Sequence, residues 1–267
     1  MLDAPLAAQL CHAAVNNIWI SPEVFKWEVR WESGSVVERQ KMRRPHELWR
    51  RAHIVLSRKG DEHDRAEVIT VLKRAVDFRI KHLNDRYRFK RIPISEKPAE
   101  LLAQMEFFGL IRPIMVQKLM QIRNRIEHMD APPPPDGECS EMVEFVWYFL
   151  KSTDRIAEMF PEGIIFSEKG DDDDGVWLSS SAVEWRISVR GWLPNKLVSY
   201  SAMPDWIVAP VERMETWDEL AARLKSEEAP LEYFPRHRAR DTIYVSTDSL
   251  PPQSRLVEFV RAHFAAV

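Results

Sequence analysis

Cysteine is nearly absent. Cys11 and Cys139 are the only two, too few for a disulfide framework or a zinc site, and no CxxC pair occurs. A reducing compartment is the expectation. Glycine is also scarce, at eight residues in 267. Neither GxGxxG nor GxxxxGK[ST] occurs, which argues against a glycine-rich dinucleotide or P-loop fold. No run approaches the roughly 20 apolar residues that span a bilayer, so no membrane partner is expected. Residues 1–20 lack a basic start, and Gln9, His12, Asn16 and Asn17 interrupt their apolar run, so they do not read as a signal peptide. These absences together predict a soluble cytoplasmic protein.

The sequence is 45% apolar and 30% charged, enough to bury a core and too apolar for disorder throughout. Its net charge of −3 hides an asymmetry. Residues 1–125 hold 24 Lys and Arg against 15 Asp and Glu, and residues 126–267 hold 14 against 26. A basic first half either meets an anionic partner, or faces the acidic second half, or carries the solvated basic faces of helices.

Hydrophobic periodicity divides the chain near residue 161. Residues 1–60 read as an N-terminal extension: a helix over 1–20, an alternating strand over 24–31, a turn at Ser33-Gly34-Ser35, and a helix from Pro45 to Leu56. Residues 61–160 read as four helices with short connections, an antiparallel bundle. The longest starts near Asp61 or Asp64, repeats Val68, Leu72, Ala75, Arg79 and Leu83, and ends near Arg86. Further helices are expected from Pro98 to Phe108 (stopping at Gly109), from Pro113 to about His128, and over 140–159. Residues 161–267 read as a small α+β domain of unknown role, with strands over 163–207 and 241–247, a helix capped by Thr216, and a last helix opened by Pro251. The fold class is thus α+β, with a mainly helical first half.

The helix that ends near His128 carries a polar cluster. At 3.6 residues per turn, and measured around the helix from Arg123, Glu127 falls at about 40°, Asn124 at about 100° and His128 at about 140°. All four share one arc. Met115, Leu119, Ile122 and Ile126 form an apolar stripe on the opposite side. Val116 and Met120 continue the polar arc as apolar surface, so that face is expected to be covered, by the chain itself or by a second subunit. Pro132–Pro135 close the helix off.

Arg123-Asn124-Arg125-Ile126-Glu127-His128, at the end of a late bundle helix, resembles the HEPN superfamily, whose pattern is Arg, four to six residues, then His, with Asn, Asp or His favoured after the Arg. The resemblance covers roughly residues 60–160. It implies a HEPN-like bundle and a metal-independent endoribonuclease of the toxin or host-defence kind, without a cofactor. It also implies a homodimer in which two motifs form one composite site on RNA, with a neutralising antitoxin or regulatory protein as a further partner. The alternative within the same resemblance is a non-catalytic binding or sensor module. A second Arg-x4-His spacing, Arg58 to His63, lacks the Asn and runs through Gly60.

The residue types suit that chemistry. Attack by the RNA 2′-OH needs proton transfers near neutral pH, which assigns His128 the acid/base role. Charge building on the phosphate needs a fixed cation, and Arg123 offers a planar fork. Asn124 either bonds the phosphate or orients the His128 ring. Glu127, one turn on, either orients Arg123 or makes an ordinary ion pair with it.

Other groups read as bland. Asp171–Asp174 lack calcium-loop spacing and read as a solvated hairpin tip. His46, His53 and His63 with Asp61 and Asp64 show no metal spacing. Arg236-His237-Arg238-Ala239-Arg240 reads as an exposed basic loop or a phosphate contact. Trp177, Trp185, Trp192 and Trp206 read as core packing rather than base-stacking platforms.

Overall fold

A computed structural model describes residues 17–36, 39–167, 176–180, 187–211, 213–227, 242–249 and 253–265. The chain is α+β: long helices fill 39–158, and strands dominate the rest. It divides into two compact units. One takes residues 35–92 and 96–160; the other takes those before 35, 93–95 and those after 160. The expected N-terminal extension therefore does not stay together. Residues 17–34 join the strands, and 39–57 join the helices.

In the helical unit, α1 (Arg39–Ser57) and α2 (Glu62–Tyr87) form an antiparallel hairpin, with Arg51 of one paired to Glu67 of the other. Asp61 caps α2, its Oδ1 accepting from the amides of His63 and Asp64 at 2.9 and 3.1 Å. A 3₁₀ turn (Phe89–Arg91) and the short α3 (Leu101–Phe107) follow. The Phe89 and Phe108 rings stack there at 6.1 Å. Gly109, at φ +79°, ends that turn in a conformation that suits glycine. Then α4 (Ile114–Met129) packs against α2, and α5 (Asp136–Glu158) runs parallel to α2. The α2–α5 alignment follows from the ordered contacts Arg65–Asp136, Arg79–Asp154 and Tyr87–Ile156.

The result is a helical unit in which α1, α2 and α5 pack on one another and α4 packs against α2. The two-turn α3 does not supply the expected fourth helix; α1 does. Its apolar positions Leu48, Ala52 and Val55 are buried beside those of α2, including Val68, Leu72 and Val76, each at 0% exposure. Each such Leu or Val contributes about 1.5–3 kcal/mol relative to exposure. Pro45 lies inside α1 and not in its first turn, so the helix starts at Arg39, ahead of the expected position.

Polar groups also hold the bundle. Arg79 is fully buried. Its Nη1 donates to Leu150 O and Thr153 Oγ1 at 3.3 and 3.1 Å, and its Nη2 donates to Asp154 Oδ1 at 2.6 Å. His46 Nε2 lies 2.8 and 3.2 Å from the two Asp154 oxygens. One carboxylate thus joins α1, α2 and α5. Burial lowers the Arg79 guanidinium below its ordinary value, against the pull of Asp154. Burial pushes the Asp154 carboxyl up, but hydrogen bonds from His46 and Arg79 outweigh it and leave the group below the usual carboxylate range.

At the far end, the fully buried Tyr87 hydroxyl lies within donating distance of Ile156 O (2.9 Å) and Met159 O (3.1 Å), and burial raises its pKa. Tyr87→Phe is expected to destabilise the unit by about 1–1.5 kcal/mol in urea unfolding, the net worth of a lost hydrogen bond. A loss under a few tenths would place the two carbonyls in contact with water.

The strand unit holds two sheets. β1 (Asn17–Ile20) sits between β6 (Val198–Ser199) and β7 (Ile207–Pro210), antiparallel to both. Residues 17–20 are therefore a strand where the sequence predicts a helix; the rest of that expected helix lies outside the described residues. Ile18, Ile20, Ile207 and Ala209 point inward at the period of two.

The larger sheet has the order β2-β3-β4-β5-β9-β8. Its strands are β2 (Glu28–Val36), β3 (Met159–Ser167), β4 (Val176–Ser180), β5 (Ile187–Pro194), β8 (Arg213–Glu215) and β9 (Thr242–Ser249). β2 runs straight through Ser33-Gly34-Ser35, so no turn occurs there. Residues 22–26 form a 3₁₀ turn and not the start of a strand. Two helices complete the unit. α6 (Trp217–Ser226) starts at the expected Thr216 cap, which Glu219 completes as a capping box, and α7 (Gln253–Ala265) follows β9. The readings of Asp171–Asp174, Trp185, the Trp177 side chain and Arg236–Arg240 lie outside the described residues. Trp192 and Trp206 are half-buried.

Candidate functional site

α4 carries the Arg-Asn-x3-His motif. Leu119, Ile122 and Val116 are buried, and Met115, Met120 and Ile126 are half-buried. The buried face is therefore wider than the expected stripe. It reaches Val116, at 0% exposure, above the polar arc. The chain itself covers Val116, so this residue gives no evidence for a second subunit.

The helix ends where Asp130 takes φ +49°, and the amides of Asp130 and Ala131 both donate to Arg125 O. That turn and the prolines beyond it leave the last helical turn at the surface.

The motif residues divide between two edges. Arg123 and Glu127 lie at the inner edge, with side chains 25% and 31% exposed. Arg123 Nη2 forms an ion pair with Glu127, and Nη1 donates to Asn124 Oδ1 at 3.2 Å. Arg123 Nε is buried without a hydrogen-bond partner among the described residues. The guanidinium is thereby fixed in orientation before any ligand arrives. Asn124 and His128 lie on the outer, exposed face. Asn124 turns its oxygen to Arg123, and His128 has no hydrogen-bond partner among the described residues. The second spacing, Arg58 to His63, spans a non-helical link.

Chemically, this terminus offers an oriented guanidinium, a carboxamide with a free amino end and an accessible imidazole. Among the described residues, no group of the same chain orients the imidazole. No cluster of three metal-ligating side chains occurs among the described residues. The buried Cys139 thiol is no nucleophile, because burial pushes it up to about 11.

Sequence reasoning misses one pairing. His46 shows no metal spacing with His53 and His63, yet it pairs with Asp154, 108 residues away. No local signal marks it, because Asp154 is one of several charged residues on an amphipathic helix. Comparison with protein-family models, with curated proteins and with solved structures returns no match to this chain.

Proposed function

We propose that the protein is a metal-independent endoribonuclease of the HEPN type. In this reading it cleaves RNA by 2′-OH attack at a composite site shared by two copies of α4, in the cytoplasm, as a toxin or host-defence factor. The observation that carries the reading is the α4 terminus: Arg123 held in orientation by Glu127 and Asn124, five residues before an exposed His128. The packing of α4 on the long helix of a helical unit supports the resemblance. Met129, 73% exposed beside His128, supports a second copy covering this end. Arg123 clamps the phosphate, His128 moves the proton, and the Asn124 amino group bonds a phosphate oxygen. An antitoxin or regulatory protein that covers the same terminus would silence it.

The test is RNA cleavage in excess EDTA by the purified protein and by His128→Ala. Cleavage is expected in EDTA and is expected to fall by about 10²-fold or more in the variant. Activity that needs a divalent ion, or that survives the substitution undiminished, sinks the proposal. The second reading, a non-catalytic binding or sensor module, is favoured by one observation: Glu127 already neutralises Arg123. It predicts no cleavage by either protein and a stable complex with a partner that His128→Ala leaves intact.

A further inference from the structure

A second cluster in the helical unit lies apart from the α4 terminus. A cleft of about 530 Å³ opens between α1 and α5, at the surface end of the Arg79–Asp154–His46 chain. On α1 its polar lining residues Arg43, His46, Glu47 and Arg50 fall on one helical stripe, with Met42 at its edge. On α5 they are Asp154 and Glu158, one turn apart. The volume falls within the range of small-molecule sites.

The chain of contacts fixes the floor of this cleft. Asp154 is ionised, because it faces the buried Arg79 and its carboxyl is held low. An ionised carboxylate only accepts, so His46 Nε2 carries the proton between them. That sets the ring orientation and makes Nδ1 the ring atom without a hydrogen-bond partner among the described residues. Arg44 and Arg51, the neighbouring exposed arginines on α1, are paired with Glu47 and Glu67. Arg43 and Arg50 have no ion-pair partner among the described residues, and both line the cleft with His46 between them. Two turns of helix separate them, about 10.5 Å along the axis, a span that two arginine side chains close onto one group.

The geometry points to a binding site for a small hydroxylated phosphate monoester, the class of the sugar phosphates. A monoester near neutral pH carries close to two negative charges, which match Arg43 and Arg50, and both guanidinium forks fit its oxygens. His46 Nδ1, the unprotonated ring nitrogen, is held in place to accept a hydrogen bond from a sugar hydroxyl. Glu47 and Glu158 decide against a polymer. Carboxylates at the rim accept hydrogen bonds from hydroxyl groups, and they repel the flanking phosphates of a nucleic acid strand. This site is independent of the one on α4.

The test is calorimetric titration of the full chain with inorganic phosphate, ribose 5-phosphate and ribose. Ribose 5-phosphate is expected to bind more tightly than phosphate, and ribose not to bind. Arg43→Ala and Arg50→Ala, both at exposed positions, are each expected to weaken ribose 5-phosphate about tenfold or more, as the loss of a charge-assisted contact does. His46→Gln is expected to weaken it further while unfolding stays cooperative. Absence of ribose 5-phosphate binding overturns the inference. So does equal affinity for ribose, or unchanged binding in the Arg43→Ala, Arg50→Ala double variant. Loss of RNA oligomer binding in that double variant, with no binding of ribose 5-phosphate by the wild type, also overturns it and makes the face a nucleic-acid surface.

Discussion

Asp154→Ala is expected to destabilise the helical unit by about 3–5 kcal/mol in urea unfolding, the cost of leaving a buried charge without its partner. Arg79 is the reason. It has no exposed surface, and Asp154 is the carboxylate that answers it. The neutral acceptors Leu150 O and Thr153 Oγ1 remain after the substitution, but they carry no countercharge. His46 loses its anchor at the same time. The double change Arg79→Met, Asp154→Leu removes the charge along with its partner, and it is expected to recover most of the loss. A single-variant loss under about 1 kcal/mol would mean that water reaches the guanidinium.

The same pair sets an acid limit. The Asp154 carboxyl is held below its unfolded value of about 3.9, so its contribution is complete above that pH. The contribution is lost as pH falls through the lower, folded value. Wild-type stability should therefore drop steeply below about pH 4, and Asp154→Ala should show a shallower slope there. Equal slopes would remove Asp154 from the acid transition.

Local patterns in the sequence read correctly where the cause is local. The α2 repeat, the Asp61 cap, the Gly109 stop and the Thr216 capping box each follow from residues within a turn of one another. Asp61 and Thr216 place a side-chain oxygen on a free amide, and Gly109 takes a φ that suits glycine. Ser21-Pro22-Glu23 is a local signal of the same kind, masked by the alternation that follows it. Ser21 Oγ accepts from the Glu23 amide and Pro22 opens the 3₁₀ turn, so the alternation over 24–31 misleads at its start. Other features depend on distant partners. β1 is a strand because it lies between residues 198–199 and 207–210. α1 runs through Pro45 because Pro45 itself and the positions that follow it on the same face, Leu48, Ala52 and Val55, are buried, which offsets the lost hydrogen bond.

The candidate site shows the same division. Helical spacing alone puts Arg123 beside Glu127 and exposes His128. The pairing of His46 with Asp154 needs the tertiary fold. The covering of Val116 needs it as well, and it removes one argument for a dimer. What still speaks for a second copy is Met129, 73% exposed beside His128.

The composite site proposed at the α4 terminus makes the largest functional prediction. If two α4 termini share one cleft, His128→Ala is expected to lower RNA cleavage in EDTA by about 10²–10⁴-fold, the usual worth of a positioned acid or base. At about 1.36 kcal/mol per decade this is about 3–5 kcal/mol of barrier. His128 is exposed, so stability should change by less than about 0.5 kcal/mol, which separates chemistry from folding. Arg123→Ala is expected to cost about 10²–10³-fold, as loss of one charge-stabilising donor does, and Arg123→Lys should recover little because an ammonium lacks the fork. The decisive arm mixes the two inactive chains. A heterodimer of Arg123→Ala and His128→Ala holds one intact arginine and one intact histidine in the shared cleft, and it should cleave where neither homodimer does. No recovery on mixing, with dimers formed, would show that each chain needs its own Arg123 and His128, and the composite site would fall.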